Sequence, residues 1–527
     1  MESTSPVALV ERITSKLEPL DVAFHNAYWD SQVAASPETE RRRADLELQL
    51  RRAKGDSEDL RSIDNALSGD LHDAMLRRQL DVLRLSFLGN QMDEELRLRL
   101  VELSTAVEGR FASFRPEVDG KRLNDNEIEH ILKTSQDDDR RRQAWEASKE
   151  IGGVVADAVR ELARLRNDAA RALGYRDYYS MSLDLQELDE GRLFQLLDDV
   201  DAMTQGPFAL YKDDLDQRLK DRFGVEDVYP WHYADPFFQA LPPDAGVNLD
   251  PYLADLSPEK LAVSTFAAWD IDLSRVMEVS DLYPRDGKCQ HAFCLDVDRS
   301  GRDVRILANV VAGERWTEVM LHESGHAAYN VSIDRRLPYL LRRACHIFVT
   351  EAIAILSGRL SRDPQWLQQF VGLPSQLIDE MTTDLQRSAA RQSLLFARWA
   401  LVVTHFERAL YADPDGDLDA TWWELVERFQ SVTPPPDRRA PDWAAKIHVA
   451  TAPVYYQNYL LGEILASQLH ATCVQECGGF VGNEDAGHFL VERIFRPGNL
   501  MRWDSLIEEA TGRRLSAGDF AAEVALG

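Results

Sequence analysis

Apolar residues return every three to four positions over most of this chain, and that period governs the elements it predicts. Val155, Val159, Leu162, Ala169 and Leu173 share one helical face, with Gly174 following as a stop. Residues 96–114 and 193–219 carry similar amphipathic patterns. Period-two alternation is scarce. Its best instance, residues 291–310, has two short runs rich in Phe, Val, Ile and Leu, split by Asp298-Arg299-Ser300-Gly301. That split predicts a turn and one small sheet. Pro and Gly mark loops at 241–246 and 433–436. No repeat of fixed period and no long Gly/Ser linker interrupts the pattern. The expectation is a mostly α protein, a single large helical domain (1–527) with approximate lobes 1–240 and 241–527 meeting near Pro242.

Composition narrows the function classes. The chain has 527 residues, 44% of them hydrophobic and 28% charged, ordinary for a globular protein and unlike collagen, low-complexity or disulfide-stapled chains. Lys+Arg 60 against Asp+Glu 89 gives a net charge of −29. So acidic a chain lacks the electrostatic footprint of nucleic-acid binding and is repelled by an anionic membrane. Residues 1–16 lack the apolar core of a secretory leader, and no stretch reaches 18 apolar residues. Five cysteines, an odd number irregularly spaced, fit a reducing compartment. The expectation is a cytoplasmic protein. The charge runs Arg41-Arg42-Arg43 and Asp137-Asp138-Asp139-Arg140-Arg141-Arg142 lie in helical patterns and read as solvated faces.

The chemistry concentrates in His322-Glu323-Ser324-Gly325-His326, within a helix predicted over about 316–330. Residues four apart share a helical face, so both imidazoles can meet one metal ion. Glu323 projects beside them, within reach of a water that such an ion activates. Catalytic zinc takes a third protein ligand and leaves a position open. Position 332, where a metzincin would place a histidine, is Ser332. Asp334 lies at the exit of the same helix and points poorly, whereas Glu351 opens the apolar run Glu351-Ala352-Ile353-Ala354-Ile355-Leu356. A carboxylate entering such a run is costly unless it is paired or metal-bound. His322, His326 and Glu351 are therefore expected to hold one Zn2+, with Glu323 as general base.

Here the chain resembles the helical zinc peptidases that include angiotensin-converting enzyme, thimet oligopeptidase and oligoendopeptidase F. The resemblance rests on His322-Glu323-Ser324-Gly325-His326-Ala327 with Glu351-Ala352, and it extends further. Arg285-Asp286-Gly287-Lys288 and Ala292-Phe293-Cys294 resemble the strand region before the zinc helix. Ala27-Tyr28-Trp29-Asp30, Asn167-Asp168-Ala169-Ala170 and Gly174-Tyr175 resemble N-terminal helices. Arg496-Pro497-Gly498 and Ala510-Thr511-Gly512 fit near the end. The resemblance implies two helical lobes around a deep central channel, a small sheet near the zinc helix, and short peptides as substrates. It also implies that His448, Tyr456 and Tyr459 donate to the substrate carbonyl and oxyanion, with Tyr455 an equally spaced competitor. From spacing alone these tyrosines equally fit an aromatic core stripe. By the same resemblance Lys446 holds a peptide's C-terminal carboxylate, which would make the enzyme a peptidyl-dipeptidase; without that role it would be an oligoendopeptidase. In the converting enzymes an Asp four residues after the ligand Glu supports a zinc histidine. Here that position is Ile355, so the support must come from elsewhere.

Two alternatives accompany this expectation: a processing or amide-cleaving enzyme dedicated to one pathway, and a non-catalytic peptide-binding protein on the same fold. Asp413, Asp415, Asp417, Asp419 and Glu424 sit at calcium-loop offsets, but Leu418 occupies the required glycine position, so a turn before a helix is expected. Cys473 and Cys477 near His470 fall in a helical run without a fourth ligand and read as idle thiols.

Overall fold

Helices occupy most of the described chain, residues 5–242 and 246–526 of the computed structural model. The predicted loop at 241–246 therefore lies partly outside the described residues. The three periodic stretches form helices Glu94–Ser113, Asp138–Ala172 and Glu190–Phe223. Each starts on an aspartate (Asp93, Asp137, Asp189) whose side chain accepts from a backbone N–H of the first turn, satisfying donors that a helix start leaves open. Asp417 caps Leu418–Gln430 in the same way, so the acidic run there is a helix start.

The chain forms two compact units that interleave along the sequence. One comprises Met1–Gln91, Asn248–Thr382 and Leu461–Ser516; the other comprises Met92–Val247, Thr383–Leu460 and Ala517–Gly527. The predicted seam near Pro242 falls beside one of the five crossings between them.

In the first unit, Leu9, Ile13, Leu17, Leu80, Leu83 and Phe87 bury an apolar core with Tyr339 and Leu340. Burial of each such side chain contributes about 1.5–3 kcal/mol. Asp21 ties the N-terminal helix Pro6–Val33 to its surroundings, accepting from Arg299 Nη2 (2.9 Å), Tyr339 Oη (3.2 Å) and Lys54 Nζ (3.5 Å). The predicted hairpin is present: Phe293–Asp296 pairs antiparallel with Val304–Leu307. Trp29 and Tyr28 of the N-terminal helix pack on Phe293, at 6.0 and 5.4 Å between ring centroids.

In the second unit, Val118, Ile128, Ile131, Leu132, Ala144, Trp145 and Trp231 form a separate core. The second unit adds a sheet to the one predicted and corrects one expectation. Among the described residues, Glu117–Val118 and Lys121–Arg122 also pair. Two residues per strand are too few to show a period. Arg141, counted among the solvated charges, is 1% exposed and donates to the carbonyls of Trp231, His232 and Tyr233 at 2.8–3.0 Å. Those bonds satisfy a cation that burial would otherwise penalise heavily.

Candidate metal centre

The motif helix runs Glu314–Ser332, and the helix carrying Glu351 runs Ile347–Arg359. Their crossing is set inside the motif. A Cβ on Gly325 would stand 2.9 Å from Ala354 Cα and 2.9 Å from Ser357 Oγ, so only glycine allows this approach. Gly462 does the same for Gln457–Cys477, where a Cβ would stand 3.3 Å from Glu351 Cβ and 3.1 Å from Ile355 Cδ1.

Close packing brings three donors together. His322 Nε2 and His326 Nε2 each lie 3.9 Å from Glu351 Oε2, and one ligand atom from each residue falls within 4.8 Å of the others. Tetrahedral zinc with bonds of about 2.0–2.2 Å needs donors about 3.4 Å apart, a small contraction. The three side chains are 14–31% exposed, so solvent reaches them. Burial lowers His322 to about 4, and burial with His322 nearby lowers His326 to about 3. Both imidazoles are thus neutral and able to ligate. Burial raises Glu351 to about 7; burial and Glu351 raise Glu323 to about 8, against a backbone N–H bond from Cys294 on the hairpin. Two carboxyls disfavoured as anions beside two neutral imidazoles form a site that a divalent cation would complete. The donor set fits zinc.

The support missing at Ile355 comes from Thr350. His326 Nδ1 lies 2.8 Å from Thr350 Oγ1. With Nδ1–H donating to that hydroxyl, the Nε2 lone pair is left for the metal. Nothing in the sequence pattern singled out Thr350.

The other sequence-derived residues gather in the second unit. The His448 ring lies 5.3 Å from Tyr456 and 6.5 Å from Tyr459; Tyr455 packs on Tyr459 at 5.2 Å. Burial and Lys446 lower His448 to about 4, leaving it neutral. Trp399 Nε1–H donates to Tyr456 Oη at 2.6 Å, which frees the phenol's own proton for another acceptor. Lys446 is buried against Phe237, Trp399 and Tyr456, and its Nζ donates to Gln239 Oε1 at 3.1 Å. It makes no ion pair among the described residues. Burial, opposed by Asp235, lowers it to about 8. Spacing did not point to Gln239 or Trp399, which stand far from Lys446 and Tyr456 in sequence.

No described helix is long and apolar enough to cross a membrane. Among family models, Angiotensin-converting enzyme matches residues 2–213 and Peptidase family M3 matches residues 261–526, just over half the chain. No curated protein matches. Both families are zinc-dependent peptidases, which implies zinc as the metal and peptides as substrates. The protein is a metallopeptidase, and the chain belongs to peptidase family M3.

Proposed function

We propose that the chain releases dipeptides from the C-termini of short peptides, acting as one catalytic domain in the cytoplasm, where its five free cysteines would stay reduced. The convergence of His322, His326 and Glu351 with Glu323 beside them carries this reading. Those three residues would hold one zinc ion per chain. When bound, zinc supplies Lewis acidity for the scissile carbonyl and lowers the pKa of a water.

Glu323 takes the proton of the attacking water and delivers it to the leaving amine. The Cys294 backbone N–H holds the Glu323 carboxylate in place. His448, Tyr456 and Tyr459 donate to the oxygen on which charge develops. Tyr456 is suited to this because Trp399 already fills one acceptor site on its phenol. Tyr455 lies beside these donors and contributes to substrate binding. Lys446 and Gln239 take the terminal carboxylate. The support for that assignment is a buried ammonium with an amide partner and, among the described residues, no carboxylate at ion-pair distance.

A mixed pool of short peptides, digested by the zinc-loaded chain and read by mass spectrometry, tests the reading, with Glu323→Gln as control. Cleavage two residues from C-termini is expected. It should fall by about 100-fold or more in Glu323→Gln, while bound zinc is unchanged. Internal cuts would replace the dipeptidase assignment with an oligoendopeptidase. Intact pools would leave the enzyme dedicated to one pathway substrate.

A further inference from the structure

Val454 stands just before Tyr455, Tyr456 and Tyr459, and its φ of 53° lies in the left-handed region. Of the eight non-glycine residues with positive φ among the described residues, it is the one that is β-branched. A β-branched side chain there is strained and persists only where the surroundings impose the conformation.

The surroundings do impose it. Val454 N–H donates to Glu407 Oε1 at 2.7 Å. Val454 O accepts from Gln457 Nε2 at 2.8 Å and from Gln186 Nε2 at 3.1 Å. Glu407 and Gln457 are at most 1% exposed. Gln186 is itself held: its Nε2 also donates to Ser182 O at 3.0 Å, and its Oε1 accepts from Asn458 Nδ2 at 2.9 Å. The clamp draws on three stretches of chain: the end of Tyr178–Leu185, the helix Ser375–Ala412, and the start of Gln457–Cys477. Burying that much polar surface around one turn is costly unless most of its bonds are made.

We propose that Glu407, Gln457 and Gln186 are positioning residues that hold Val454 in its left-handed conformation and so fix the aim of Tyr456 and Tyr459 at the substrate. This rests on the assignment of those tyrosines as oxyanion donors. Released from the clamp, Val454 returns to negative φ. That swings the following chain by more than about 100° around its N–Cα bond.

The test compares kcat and KM of zinc-loaded full chains on one peptide that the wild type cleaves. Glu407→Ala should lower kcat by about 10–100-fold with KM within about threefold, as expected when an oxyanion donor is misplaced. Glu407→Gln should stay within about threefold, because its amide oxygen still accepts the Val454 N–H. Adding Val454→Gly to Glu407→Ala should recover most of the loss, since glycine adopts this conformation unaided. A general packing role for Glu407 would show no such rescue. Wild-type kcat in Glu407→Ala, or no recovery in the double variant, overturns the proposal. If Glu407→Ala does not fold, Gln186→Met replaces it, keeping volume and removing the amide; a drop of about 3–10-fold is expected, again relieved by Val454→Gly. Unchanged kcat there also overturns it. Failure of the underlying assignment looks different: Tyr456→Phe and Tyr459→Phe would both keep full kcat.

Discussion

Thr350→Val replaces the hydroxyl facing His326 with a methyl of the same shape. His326, held near pKa 3 by burial and by His322, is neutral throughout the working range, so one of its nitrogens carries the proton. His326 Nδ1 lies 2.8 Å from Thr350 Oγ1, and the tautomer in which Nδ1–H donates to that hydroxyl places the proton away from the metal side. A neutral hydrogen bond contributes about 0.5–1.5 kcal/mol net. Losing the tautomer preference adds about 0.4 kcal/mol if both forms become equal. Together these give about 1–2 kcal/mol, so the zinc dissociation constant should rise about 5–30-fold. Competition with a fluorescent zinc chelator at fixed pH reads this directly. Thr350→Ser should stay within about twofold, since it keeps the acceptor. A Thr350→Val affinity within about twofold of wild type would refute the orienting role. A loss beyond about 1,000-fold would show that more than one hydrogen bond had been removed.

Three further outcomes follow from the geometry. Gly325→Ala forces its Cβ to within 2.9 Å of Ala354 Cα, so it should destabilise the chain by about 1–3 kcal/mol, seen as a lower Tm. Lys149, 4% exposed with Nζ 3.2 Å from the Phe237 ring centroid, is lowered by burial from 10.5 to about 7. Between those values the unfolded chain holds a proton that the folded chain has released, so this group's contribution to stability improves as pH rises and is worst below 7. Lys149→Met should therefore stabilise most at low pH, by up to about 5 kcal/mol, with the gain shrinking by about pH 9 in thermal melts. A gain that grew with pH would contradict that sign. Lys446→Met should raise KM for peptides with a free C-terminus by about 10–100-fold and leave C-terminal amides unaffected, a comparison made by steady-state kinetics on paired substrates.

The sequence carried the three donors that converge in the structure because a helix turns spacing into geometry: His322 and His326 share a face, and Glu351 announces itself as a charge entering an apolar helix. The hairpin at 293–307 was legible for the same reason, as alternation around a turn. Arg141 was readable but misread. It precedes Ala144 and Trp145 by three and four residues, which puts it on the buried face of its helix despite the charges around it. Thr350 left only a negative signal, the absence of a carboxylate at Ile355. Gln239, Trp399 and Glu407 left none, because their partners lie 207, 57 and 47 residues away in sequence. Contacts of that span depend on how the chain returns on itself, which no local period encodes.

The order of segments in the first unit has a consequence for synthesis on the ribosome. Its first 91 residues emerge early, yet their core is completed by Tyr339 and Leu340, and the buried Arg78 awaits its partner Asn499. At about 5–20 residues per second, the last segment of that unit leaves the ribosome roughly 20–90 s after the first. Throughout that interval part of the apolar surface of the N-terminal helices lacks its cover by Tyr339 and Leu340, and the Arg78 guanidinium lacks its bond to Asn499. The nascent chain is therefore a natural client for chaperones that cover such surfaces, and its yield on expression should track their supply more closely than that of a protein whose units follow one another along the sequence.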